Sequence, residues 1–320
     1  MRKRLMAVIA TLATAITPMA IANAVPEPTT GVETLVGPDQ WVGVPVEFDY
    51  AAADEGFQAQ RQLRAEMWDI NPPFEGKPLR VAAAEAGMTT KDAYVNGFKL
   101  DYNLSKIAVQ RSVAQVRGLM HARPSGTDCA WVAGSDCLEE EKTATINGQG
   151  GWGNNLAAGT AATTIRQSVL QSRGHGELAF LRAANGVFNT NNGHLYQALN
   201  PQNKFHGFGM VKRLDSSKYT YYSATTFGWN ATTGGTTPLK KGVQRVTIYR
   251  AAVKGERPTG TTTPTNPTNP LPGNIGDVLQ SSEGSNSAQI FGVIAGLVSL
   301  VGLIAAIFGL SSGAITIPLG

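Results

Sequence analysis

Between residues 49 and 120 apolar side chains recur at helical spacing, and after residue 204 they do not. In 49–70, Phe57, Leu63 and Met67 mark one face, and the spacing predicts a helix. The stretch 89–98 opens with Thr89 three residues before Asp92, a pairing that predicts a helix cap. The clearest helix is expected over 101–120. Leu104, Ile107 and Ala108 begin its apolar face, Val109, Val113, Val116 and Met120 continue it, and Arg111, Gln115 and Arg117 are turned to water. Two further helices are expected over 157–171 and 176–188. KFHGFGMVKRL (204–214), KYTYYSATTFGW (218–229) and GVQRVTIYRAAV (242–253) read as strands, the second rich in Tyr and Thr. Helices first and strands later predict one α+β domain over 40–253, with no internal repeat.

The ends have a different texture. Residues 1–24 read as a signal peptide: Arg2, Lys3 and Arg4, an apolar run, then the small-residue cleavage pattern Ala22-Asn23-Ala24. Residues 254–288 are rich in Pro, Thr, Asn and Ser and predict an extended linker. Residues 289–310 form an uncharged apolar stretch, expected to be a hydrophobic helix long enough to span a membrane. Gly292 and Gly296 give it a small-residue face for self-association. The tail 311–320 carries no Lys or Arg to fix an orientation. The chain is therefore expected to be exported, then either secreted or held at the cell envelope.

Export changes two further readings. The leader holds three bases, so its removal lowers the formal net charge from +4 to +1. With no basic stripe interleaved with aromatics, nucleic acid is not an expected partner. Cys129 and Cys137, an even count in an exported chain, are expected to form a disulfide across a short loop. A metal pair is the other reading, disfavoured by seven intervening residues and no further Cys.

Chemistry-bearing residues are few. There are four histidines. His121 sits in MHARPSG (120–126), where a proline must end a helix, and His194 opens a short helical stretch closed by Pro201. Two imidazoles at element ends can hold a divalent cation such as zinc, with water in the open positions. The plainer reading is that each satisfies backbone groups. His175 is expected at the surface and His206 within a strand. No H-E-x-x-H or G-x-x-x-x-G-K-[ST] pattern occurs.

Four segments resemble one family, in order. MHARPSG (120–126) is similar to the His-Thr-Arg-Pro-Asp-Gly segment of bacterial CAP domains, also called SCP-like domains (cysteine-rich secretory proteins, antigen 5, pathogenesis-related 1). GWGNNLAAG (151–159) resembles their Gly-Glu-Asn-Ile-Ala-Ala-Gly segment, GHLYQALNP (193–201) their Gly-His-x-x-x-Leu-Asn-Pro segment, and FHGFGMV (205–211) the glycine-spaced strand that follows. The resemblance covers about residues 55–228 and implies an α-β-α sandwich with a central antiparallel sheet. It also implies a cleft with two histidines and two acids. Carried over, these are His121, His194, Asn154 where the family has Glu, and Glu177. An amide at 154 neither titrates at neutral pH nor ligates a cation as a carboxylate does.

The resemblance implies a non-enzymatic binding module for lipid, metal or an envelope or host partner. The alternatives are a degenerate metal-assisted envelope hydrolase, or an interaction head displayed by its tail. Phe205, Phe208, Tyr221, Tyr222 and Phe227 are read either as a lipid-lining stripe or as plain core.

Overall fold

The computed structural model describes residues 30–33, 41–116, 119–124, 138–139, 141–253 and 256. The expected signal peptide (1–24), the Cys129–Cys137 bridge, the linker apart from Glu256, the apolar stretch 289–310 and the tail 311–320 lie outside them. Among the described residues no helix is long and apolar enough to cross a membrane.

The chain runs β1 (Trp41–Phe48), α1 (Ala51–Ile70), a small hairpin β2 (Pro73–Phe74) and β3 (Lys77–Pro78), α2 (Leu79–Glu85), α3 (Lys91–Val95), β4 (Lys99–Leu100) and α4 (Tyr102–Val113). Short ladders β5 (Arg123–Pro124) with β6 (Leu138–Glu139), and β7 (Thr145–Ile146) with β8 (Gln149–Gly150), lead to β9 (Gly153–Gly159). Then come α5 (Ile165–Gln167), which runs on as a wider turn over Ser168–Ser172, α6 (Leu178–Ala183) and α7 (Gly193–Leu199). The strands β10 (Phe205–Arg213), β11 (Tyr221–Gly228) and β12 (Gln244–Ala251) close the fold.

The protein is thus α+β with a largely antiparallel sheet. Its strand order is β12-β1-β10-β11-β9, and β4 adds a short parallel pairing to β10. The strand β1 breaks the expected helices-first order. WVGVPVEF alternates Val44, Val46 and Phe48 toward one buried cluster, a period-2 signal inside what reads at first as a lead-in to α1. Pro45 is tolerated between two strands because β1 meets β10 only from Val46 onward. Its carbonyl still accepts from the Leu214 N–H at 2.9 Å.

Helices cover both faces of the sheet. On one, Ala59, Leu63 and Met67 of α1 pack with Leu195 and Leu199 of α7 and Phe208 of β10. On the other, Val109 and Val113 of α4 pack with Val44, Val46, Val211, Tyr222 and Ile248. The glycine spacing of FHGFG follows from this. A Cβ on Gly207 would lie 2.0 Å from the Leu104 carbonyl carbon, and one on Gly209 2.5 Å from the Val109 nitrogen. Helix α4 lies directly on bare backbone.

Several element readings change. The helix expected over 101–120 stops at Val113, started by the Asp101 carboxylate, which accepts from the Asn103 and Leu104 N–H groups. Arg111 and Gln115 are buried, not turned to water. Arg111 donates to the carbonyls of Met120 and His121, and the Gln115 amide pairs with Met120 N–H and carbonyl, so both hold the chain that doubles back past α4. The stretch 157–171 begins as strand, and its helix starts after a capping box at Thr164 and Gln167. The expected helix 176–188 is helical over Leu178–Ala183 and ends at Asn185 and Gly186, both with positive φ. The cap of α3 is Thr90, one residue beyond Thr89. Residues 30–33 also belong to the fold. Val32 is fully buried with Leu104 and Ile107, and Thr30 Oγ1 donates to Gln110 Oε1 at 2.6 Å.

Candidate functional site

Helix α7 carries GHLYQAL, and its C-terminal carbonyls are captured by buried side chains of the first layer. Gln60 Nε2 and Arg64 Nε donate to the Ala198 carbonyl, Tyr94 Oη to Leu199, and Arg64 Nη2 to Asn200. Helix ends leave such carbonyls without internal partners, so this clamp fixes where α7 begins and hence where His194 stands. The Leu-Asn-Pro stop is the anchored end of the element.

At the other end, His194 Nδ1 lies 2.5 Å from Glu177 Oε1. The second carboxylate oxygen of Glu177 accepts from the Leu195 N–H at 2.9 Å. Glu177 is positioned as the residue that opens α6, after a tight turn over His175–Glu177. The His194 carbonyl accepts from Asn155 Nδ2 of β9 at 2.9 Å. Both side chains of the pair are partly shielded, at 25% and 12% exposure, so the dyad sits at the rim of the structure rather than in its core. A carboxylate on Nδ1 fixes ring tautomer and orientation and leaves Nε2 as the outward nitrogen, which has no hydrogen-bond partner among the described residues.

Behind the dyad lies Arg173, 3% exposed. Its Nη1 donates to the Asn155 carbonyl and to Thr225 Oγ1 at 3.1 and 3.0 Å. Its Nε and Nη2 are buried without hydrogen-bond partners. Burial pushes its guanidinium down to about 9, against the opposing pull of the Glu177 carboxylate.

No protein-family model, curated protein or solved structure matches the chain.

Of the four residues carried over by resemblance, Glu177 and His194 meet. Asn154 is buried with its Oδ1 unpartnered, and so is Oγ1 of its cross-strand neighbour Thr226. Side chains alternate along a strand. Since Asn155 reaches His194 and Leu156 packs on Ala108 of α4, Asn154 belongs to the α4 face, across the sheet from the dyad. His121 is exposed in the segment after α4. Among the described residues no three His, Cys, Asp or Glu side chains form a metal-ligand group.

His175 is part-exposed and pairs with Glu66 at 2.6 Å. His206 is fully buried in β10. The aromatic stripe is split by the sheet. Phe205 and Tyr222 pack in clusters that α4 contributes to, and Phe208 with the α1 layer, while Phe227 meets His206 edge-on. Phe208, Tyr222 and Phe227 are core. Asn155 and Arg173 were missed by the sequence reading. The alternation of a strand over GNNLAAG carries the signal for Asn155, and a buried Arg leaves none.

Proposed function

We propose that the chain is an exported, CAP-like binding module, held at the envelope by its C-terminal apolar segment, which takes its ligand at the outward Nε2 of His194. The observation that carries this reading is the 2.5 Å Glu177–His194 contact. Both Glu177 oxygens are already engaged, one on the ring and one on the Leu195 N–H, so the carboxylate acts as a positioning group. The imidazole it orients suits a divalent cation supplemented by water or ligand oxygens, or a polar headgroup. The finer fold, an α-β-α sandwich of the CAP type, is supported by helices on both faces of the sheet and by the order of the four motif segments.

The same dyad favours a second reading, a degenerate envelope hydrolase with His194 as general base. One experiment addresses both. Zinc is titrated calorimetrically into the purified chain and into His194→Ala, His121→Ala and Glu177→Gln, and each protein is assayed on cell-wall polymer. Binding without turnover, weakened at least about tenfold by His194→Ala and less by Glu177→Gln, is the expected result. Equal loss in His121→Ala would join the two histidines in one site. Turnover abolished by His194→Ala would replace the binding reading with the hydrolase. If the parent binds no zinc, the metal is removed and lipid or headgroup ligands take its place.

A further inference from the structure

A second feature lies away from the histidine dyad. Trp229 is 61% exposed, yet it is not loose. Its indole lies nearly parallel to that of Trp152, with centroids 5.7 Å apart and planes 16° apart. Trp152 in turn stacks on the buried Phe227 and donates its Nε1–H to Asn203 Oδ1 at 3.1 Å. One face of Trp229 is therefore backed by a ring column rooted in the core, while the residue as a whole stays largely exposed.

The loop after Trp229 is pinned as firmly. Thr232 N–H and hydroxyl both donate to the Asp101 carboxylate, at 2.8 to 2.9 Å, the same carboxylate that starts α4. Asn103 Nδ2 donates to the Thr233 carbonyl, and the Thr233 N–H donates to Gln149 Oε1 at 2.6 Å. Gly235 lies so close that a Cβ there would stand 2.3 Å from Asp101 Oδ2. Between this loop and β8 is a shallow cavity of about 380 Å³, lined by the two indoles together with Lys142, Gln149, Asn230 and Thr232.

We propose that this groove binds a pyranose ring of a polysaccharide, packed against the exposed indole of Trp229. A pyranose presents an apolar C–H face and a rim of hydroxyls. The groove presents two indoles and a polar rim of Lys142, Gln149 and Asn230, the pairing of an apolar surface with a few placed polar groups that small-molecule sites use. The indole pair is already ordered in the free protein, so binding pays little to arrange it. A nucleobase would stack equally well, but single-stranded nucleic acid needs a cationic track for its phosphates, and Lys142 is the one cation in this lining. The proposal depends on neither His194 nor Glu177.

The test uses the full chain, with cellotetraose, chitotetraose and mannotetraose titrated by calorimetry. At least one is expected to bind saturably. Trp229→Ala weakens it at least about tenfold, while Trp229→Phe, which keeps a ring, weakens it less. Circular dichroism stays that of the parent, because the side chain is on the surface. His194→Ala leaves sugar binding unchanged. The proposal fails if none of the three sugars binds, if Trp229→Ala binds as the parent does, or if decathymidylate alone binds in a Trp229-dependent way.

Discussion

His206 shows what one residue does to the acid limit of the fold. Its ring is enclosed by Phe98, Phe208 and Phe227, its Nε2 donates to the Asn203 carbonyl at 3.2 Å, and its Nδ1 is buried without a partner. Burial, with the nearby Arg64 guanidinium, holds its pKa well below the ordinary histidine value. The unfolded chain then takes up the proton first, at about pH 6.5. Stability from this residue is complete above that pH and is lost as pH falls through it, by up to about 1.4 kcal/mol per pH unit. Urea titrations at pH 7.5 and pH 5.5 should show this loss in the parent and a smaller one in His206→Gln. Equal losses would remove His206 from the account. The carboxylates of Glu66 and Glu256 are held low, against their own burial, by side-chain hydrogen bonds from Gln62 and His175 and from Arg250 respectively. Their contribution is lost at more acidic pH, which keeps the two effects apart.

Among the elements, the α4–β10 contact is the least forgiving. Gly207→Ala would drive a methyl into the Leu104–Ser105 backbone, which no rotamer change can relieve. The expected cost is more than about 3 kcal/mol, read as a large fall in Tm or as failure to fold. Gly153→Ala is the control, because nothing lies within 4 Å of its added Cβ. This contact also explains what the sequence disclosed. The periodicity of α1 was plain because one face is apolar and repeats, and the late strands were marked by their β-branched and aromatic residues. The extent of α4 was hidden, because this helix is buried almost all round and its polar residues Gln110 and Arg111, with Gln115 just past its end, point at backbone carbonyls instead of water. At the site, Glu177 and His194 were named in advance, since a short motif marks one and sequence distance suggested the other. Arg173 was not, since nothing in the order of residues says which guanidinium will be enclosed.

At the scale of the whole molecule, the first and last strands of the described residues are partners. All eight residues of β1 pair with β12, from Trp41 with Ala251 to Phe48 with Gln244. Arg250 and Glu256 close the end with a two-pronged ion pair at 2.6 and 2.7 Å. A chain ending at Val243 leaves the outer edge of β1 unpaired along its full length, with only Val46–Phe48 still held by β10, and uncovers Val44 and Val46, so its cooperative thermal transition should disappear. A chain ending at Glu256 should melt as the parent does. If the shorter chain keeps the parent transition, β12 is dispensable.

The same pairing fixes how the domain answers to a pull. Because β1 and β12 are antiparallel, Trp41 and Ala251 lie side by side at one end of the sheet. Tension applied between these two ends would load the Trp41–Ala251 pair first, and each later pair only after the one before it has broken. The strands would peel like a zip, one rung at a time, where strands pulled from opposite ends would share the load across every rung. A tether at one end and a grip at the other would open this seam rung by rung once Val32 and the Arg250–Glu256 pair had let go.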